Sequence, residues 1–355
     1  MKQLSAALPG PTVMTRIRLA LVAFALGAPS AVASSQAAPP IEEAELVRRL
    51  AAAVDSLAAN GQFSGVVVLA KNGASVFERA YGMADRAGSR PNTVETLFNL
   101  GSINKFFTAT AIRQLAAAGK LDLDATVERY WPDYPNRDVA SRVTIRQLLA
   151  HRGGVAGDIF AAPPGGTRAS LRHNRDFLPL FVGEPLAFEP GSRQAYSNAG
   201  YVLLGMIVER VSGEDFYEYV RRHITEPAGM TRTMYIASDS LPPDVAIGYT
   251  TSNPDGTRSA ESRPNSEMLP GRGSAAGGGY STARDLLRFL AALRAGRVPG
   301  GPPAGIGAAG GAPGLNAMVE GALPGGYDLV VLANLDPPAA MRVARLVRQL
   351  LGATD

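Results

Sequence analysis

The run Phe98-Asn99-Leu100-Gly101-Ser102-Ile103-Asn104-Lys105-Phe106 decides how the rest of the chain is read. The residues that follow are apolar and alanine-rich as far as Ala118, and Gly119 stands just past them, so a helix is expected from near Ser102 to Ala118. Residues three apart on a helix share a face, which brings the Lys105 amine to the Ser102 hydroxyl. A serine hydroxyl is a poor nucleophile until a neighbouring base takes its proton. A lysine can be that base only where burial or nearby cations disfavour its ammonium form. The positive end of the helix dipole favours an alkoxide at Ser102 and a neutral amine at Lys105. Taken alone, the spacing is a weak signal, since an N-capping serine followed by a surface lysine is commonplace.

Lysine usage bears on that choice. The only lysines are Lys2, Lys71, Lys105 and Lys120, against a combined Lys and Arg count of 35. A chain so biased toward arginine keeps lysine where an amine must shed a proton, which arginine cannot do. A second cluster, Tyr196-Ser197-Asn198, follows Pro190-Gly191-Ser192 and precedes Ala199-Gly200-Tyr201. A tyrosine hydroxyl beside a lysine can relay protons, and an asparagine amide can hold both a substrate carbonyl and the lysine. Read in isolation, the same tripeptide is a turn entering a helix, with Tyr196 packing and Asn198 capping.

Composition narrows the function classes. Of 355 residues, 46% are hydrophobic and 19% charged, an ordinary globular balance sufficient for one large domain or two small ones. The net charge of +4 comes from scattered arginines, so no nucleic-acid footprint is indicated. With no cysteine, disulfides, thiolate nucleophiles and Cys-ligated zinc are excluded. His151, His173 and His223 are the only histidines, and none stands at metal-ligand spacing from another, so no metal or cofactor is expected. At the N-terminus, Arg16 and Arg18 precede an apolar run from Leu19 to Ala28, and Ala31-Val32-Ala33 supplies a small-x-small cleavage pattern. Residues 1–33 are therefore expected to be a signal peptide and 34–40 a linker, giving a periplasmic or secreted protein with no stable membrane span.

From Ile41, the spacing of Leu46, Leu50, Val54 and Leu57 predicts a helix ended by Asn60-Gly61. Gly65–Ala70 and Ala74–Glu78 flank Lys71-Asn72-Gly73, a hairpin signal. Helices are also expected over Thr144–Ala150, Ala199–Val211 and Ala283–Arg294, and surface loops over Ala161–Gly166 and Ser252–Gly273. Strands follow at Leu315–Glu320 and Tyr327–Leu335, then a closing helix at Val343–Leu351. Strands at both ends with helices between predict an α+β fold: one domain over 41–355, its sheet built from the two chain ends and a helical subdomain over about 99–268.

Phe98–Phe106 resembles the first motif of the serine β-lactamase and penicillin-binding protein superfamily, and Tyr196–Tyr201 its second, in the Tyr-x-Asn form of class C β-lactamases and related esterases. Thr144–Gly154 is similar to the Leu-Leu-x-His-x-Ser-Gly segment of that group, and Gly277–Phe289 to another recurrent stretch. The resemblance implies a central antiparallel sheet of about five strands flanked by helices. It also implies Ser102 as acylated nucleophile, Lys105 as its activator, Tyr196 in proton transfer and Asn198 orienting substrate. His151 would be structural and the other two histidines surface residues, so no Ser-His-Asp triad is indicated. Small-molecule esters, amides or peptides are the implied substrates.

The third motif departs from the pattern. The family carries Lys-Thr-Gly or His-x-Gly on a strand edge; here Ala308-Ala309-Gly310 stands at that place, ahead of Gly311-Ala312-Pro313-Gly314. An oxyanion hole needs backbone N–H groups, those of Ser102 and Gly311, and tolerates the change. Recognition of a substrate carboxylate loses a polar partner, which favours an esterase, amidase or peptidase over a β-lactamase. Arg297 to Gly307 is short and rich in Gly and Pro, and lacks the strand expected before this motif, predicting an open sheet edge. The rival reading from these departures is an inactive binding protein for peptidoglycan fragments or a partner.

Overall fold

Strand β1, Gly65–Lys71, is apolar on both sides because both faces of its sheet are covered. In the computed structural model, which describes residues 41–301 and 307–353, β1 turns at Asn72-Gly73 into β2, Ala74–Tyr81. Both turn residues have positive φ, 51° and 85°, the left-handed conformation that a two-residue hairpin requires. The remaining strands come from the other chain end: β3 (Gly307–Ala312), β4 (Leu315–Leu323) and β5 (Tyr327–Ala333). They pair in the order β2-β1-β5-β4-β3, all antiparallel, with Val67 opposite Val331 and Ala317 opposite Gly310. The five-stranded antiparallel sheet assembled from the two chain ends is as the sequence led us to expect. The expected signal peptide and linker fall outside the described residues.

Alternation splits the sheet's side chains between two cores. Val67, Leu69, Leu329 and Val331 face helices α1 (Glu43–Ala59) and α5 (Ala339–Leu350). Leu46, Leu50 and Val54 of α1 are wholly buried there, each burial worth roughly 1.5–3 kcal/mol. Val66, Val68, Val330 and Leu332 face the opposite core, formed with α2 (Lys105–Ala117), α3 (Asn198–Ser212) and α4 (Ala283–Arg294). α3 is buried without a break from Ala199 to Val208, a central helix sheathed by others, and Gly213 at φ 77° ends it. The short helix Ile145–Leu149 opens with a capping box in which Thr144 and Gln147 bond reciprocally.

Four expectations need correction. The helix expected from Ser102 begins as a 3-10 turn, Gly101–Asn104, and becomes α-helical only at Lys105. Ser252–Gly273 is not all loop: Tyr249–Ser252 and Arg258–Pro264 form a hairpin whose outward, polar residues gave no apolar alternation to read. The third motif is regular strand: Ala308-Ala309-Gly310 lies in β3, which forms the edge of the sheet, and its outer side is covered at Gly310 by the Gly101–Asn104 turn. His173 and His223 are half-buried: His173 caps the turn Asn174–Leu180, and His223 bonds Glu214 at 2.8 Å.

Candidate active site

Two short strands, Phe98–Asn99 and Tyr280–Ser281, pin the approach to Ser102, and the Gly101 N–H is held by Asn99 Oδ1 at 2.9 Å. In the 3-10 turn that follows, side chains three apart nearly eclipse. Lys105 Nζ accordingly lies 3.0 Å from Ser102 Oγ. The amine donates to two further oxygens, Asn198 Oδ1 at 2.8 Å and the Ala276 carbonyl at 2.5 Å. Only 7% of Lys105 is exposed, and burial lowers its pKa from 10.5 to about 7.

Tyr196 and Asn198 reach the same point from the start of α3. Ser197 takes the N-cap, its Oγ accepting from the Gly200 N–H and donating to the Val155 carbonyl. The cap belongs to Ser197, not Asn198, and the residues on either side of it both turn toward Ser102. The Tyr196 hydroxyl donates to Ser102 Oγ at 2.5 Å. Although 59% of Tyr196 faces solvent, its hydroxyl end is turned into the site, and burial there raises the phenol above its ordinary range despite the bond to Ser102. His151 fixes this arrangement from below. Its Nδ1 accepts the Ser197 N–H at 3.1 Å, and its ring lies between those of Tyr196 and Tyr201, with centroids 4.5 and 4.9 Å away. Burial, and secondarily the charge on Lys105, lower the His151 pKa to about 4, so the ring is a neutral acceptor.

The opposite wall is β3. A Cβ at Gly310 would stand 2.0 Å from the Leu100 carbonyl oxygen and 3.2 Å from Ser102 N, so only glycine lets strand and turn approach this closely. A Cβ at Gly101 would stand 3.2 Å from Gly311 N. The Ser102 and Gly311 amides thus border one space, as two donors for one oxyanion must. Ala308 is half-buried against the core and presents no polar group. A cavity of about 310 Å³ opens here, bordered by Ser102, Asn198 and Gly311. The sequence did not disclose the Ala276 carbonyl, whose position comes from the tract 273–279: the Gly278 N–H donates to the Gly101 carbonyl and the Gly279 N–H to Asn104. The glycines there were the available signal, since a Cβ at Gly277 would stand 2.8 Å from the Gly101 oxygen.

The sequence model of the Beta-lactamase family matches residues 50–350. The chain belongs to the β-lactamase family of serine hydrolases. It is 31% identical to an esterase, EstB of Burkholderia gladioli, over 287 residues, covering 72% of each chain. A penicillin-binding protein of Bacillus subtilis is 34% identical over 184 residues, 50% of this chain and 39% of that one. Among solved structures, a penicillin-binding protein from Bacillus halodurans superposes with a TM-score of 0.72 at 31% identity, covering 84% of this chain and 98% of that chain. Family membership accounts for the shared sheet and for the order of the motifs. Among the described residues, no helix is long and apolar enough to cross a membrane.

Proposed function

We propose that the protein is an exported acyl hydrolase, an esterase or amidase working through an acyl-enzyme on Ser102. The observation that carries this reading is the set of partners around the Lys105 amine. Asn198 Oδ1 and the Ala276 carbonyl only accept, so a neutral amine spends its two N–H groups on them and turns its lone pair to Ser102. With a pKa near 7, that neutral form is populated at physiological pH. Lys105 takes the Ser102 proton as Oγ attacks the substrate carbonyl, and the developing oxyanion lies between the Ser102 and Gly311 amides. The phenol of Tyr196, held protonated by its raised pKa, hands a proton to the leaving oxygen or nitrogen and regains one from Lys105. The new ester bond to Oγ then yields to water by the same route in reverse.

Similarity to an esterase over 72% of the chain favours ester substrates, and Ala308 disfavours those recognised by a carboxylate on the strand wall. Export rests on the sequence of residues 1–33 alone. The test is labelling of the mature protein with a fluorophosphonate and with a fluorescent penicillin, read by intact mass, with Ser102→Ala as control. Fluorophosphonate labelling lost in Ser102→Ala supports the hydrolase; labelling by neither reagent in a folded sample leaves the binding protein.

A further inference from the structure

The cavity beside Ser102 has a composition that mechanism alone does not require. Beyond the polar groups at its floor, its walls are Ile159, Phe160, Leu171, Phe177, Ile236 and Met268, which come from several separate segments. Leu171 and Phe177 are almost fully buried, at 1% and 2% exposed, and Ile159 is 7% exposed. Phe160 is the exception, at 51%. It sits on a loop anchored at Gly157, where a Cβ would stand 2.3 Å from that of Phe181, and an Asx turn in which Asp158 Oδ1 accepts the Phe160 N–H sets its backbone. A large apolar ring left half-exposed at the border of an apolar cavity is an unfinished contact.

Position relative to the proton donor says which part of a substrate finishes it. The leaving group must stand next to Tyr196, yet Tyr196 does not border the cavity as Ser102 does, and 59% of it is exposed. The leaving group therefore departs toward solvent, and the portion that stays bonded to Ser102 fills the cavity. Two arginines also border it, and each donates one hydrogen bond to a neighbouring backbone carbonyl. Arg168 donates to the Met268 carbonyl at 3.4 Å; Arg272 donates to the Tyr235 carbonyl at 3.0 Å and stacks on the Tyr217 ring at 3.7 Å.

Resting on the reading of Tyr196 as proton donor, we propose that this cavity is an acyl pocket selecting bulky, uncharged, apolar acyl groups, and that Phe160, on its border, is a specificity-determining residue that packs on them. The bond formed is Ser102 Oγ to the acyl carbon; the bond broken is acyl carbon to leaving oxygen, which departs with the proton from Tyr196.

The test uses p-nitrophenyl esters from acetate to octanoate. Each methylene buried against these walls should raise kcat/KM about fourfold until the cavity is full, at roughly 0.8 kcal/mol per methylene. Phe160→Ala should lower the octanoate-to-acetate ratio at least fivefold. An ester of glutaric acid, bearing a terminal carboxylate, should react at least tenfold more slowly than its pentanoyl counterpart. A flat series in an active enzyme overturns the proposal, as does preference for the glutarate ester, which would assign Arg168 or Arg272 to a carboxylate. Methyl ketones of the same chain lengths, titrated calorimetrically onto Ser102→Ala, read the pocket without chemistry. Affinity should climb with chain length there and much less when Phe160→Ala is added. Equal affinities throughout overturn the pocket, even if ester hydrolysis itself had failed.

Discussion

Lowering the pH through about 7 should switch the enzyme off by charging one amine. Burial holds Lys105 about 5 kcal/mol against its ammonium form, taking the fall from 10.5 to about 7 at about 1.4 kcal/mol per pKa unit. Only the neutral amine accepts the Ser102 proton, so kcat/KM for an ester should rise tenfold per pH unit below about 7 and flatten above it. Stability carries the same signature. The folded-state pKa lies below the unfolded one, so between about 7 and 10.5 the unfolded chain binds a proton that the folded chain does not. Stability therefore rises with pH across that window, and the contribution is least favourable below about 7, where both states are charged. In Lys105→Met this dependence disappears. The difference in unfolding free energy between wild type and Lys105→Met should change by about 1.4 kcal/mol per pH unit from about pH 7.5 to 10, measured by urea denaturation in a common buffer series. Lys105→Arg should be inactive at every pH, because a guanidinium stays protonated. An activity inflection near 10, an active Lys105→Arg, or parallel stability curves for wild type and Lys105→Met would refute the reasoning.

Three further substitutions test separate parts of the site. Tyr196→Phe keeps the ring on His151 but removes the hydroxyl 2.5 Å from Ser102, so kcat for ester hydrolysis should fall about 10²- to 10⁴-fold with the fold intact by circular dichroism. Gly310→Ala places a Cβ 2.0 Å from the Leu100 oxygen; β3 must shift away from Ser102, and fluorophosphonate labelling should slow by about 10²-fold or more. Thr144→Ala removes a capping box whose bonds reach none of Ser102, Lys105, Tyr196 and Asn198, and should cost about 1 kcal/mol in urea denaturation while labelling still proceeds to completion.

How far the sequence could be read follows from the physics of each part. Ser102 and Lys105 were legible because side chains three apart share a helical face, and the 3-10 turn only tightens that relation. Tyr196 and Asn198 were legible as residue types suited to proton relay and to holding an amine, but their convergence on Ser102 depends on Ser197 taking the cap, which hydroxyl chemistry alone did not decide. The Ala276 carbonyl was not legible, since a backbone oxygen has no residue type to announce it. The strand Gly307–Ala312 has almost no intrinsic strand preference; it forms because β4 supplies a ladder and the turn at Gly101 requires a backbone without side chains. The hairpin over 249–264 was missed for a similar reason: most of its second strand is polar and exposed, so no period of two appears in hydrophobicity.

The central claim is that Ser102 carries the acyl group during turnover. The most direct measurement is intact mass of enzyme acid-quenched while hydrolysing a slow ester, followed by fragmentation to place the added mass. The account predicts an increment equal to the acyl group, on Ser102, absent in Ser102→Ala and accumulating in Tyr196→Phe only as fast as acylation allows. Turnover with no adduct at any quench time, together with retained hydrolysis in Ser102→Ala, would contradict it.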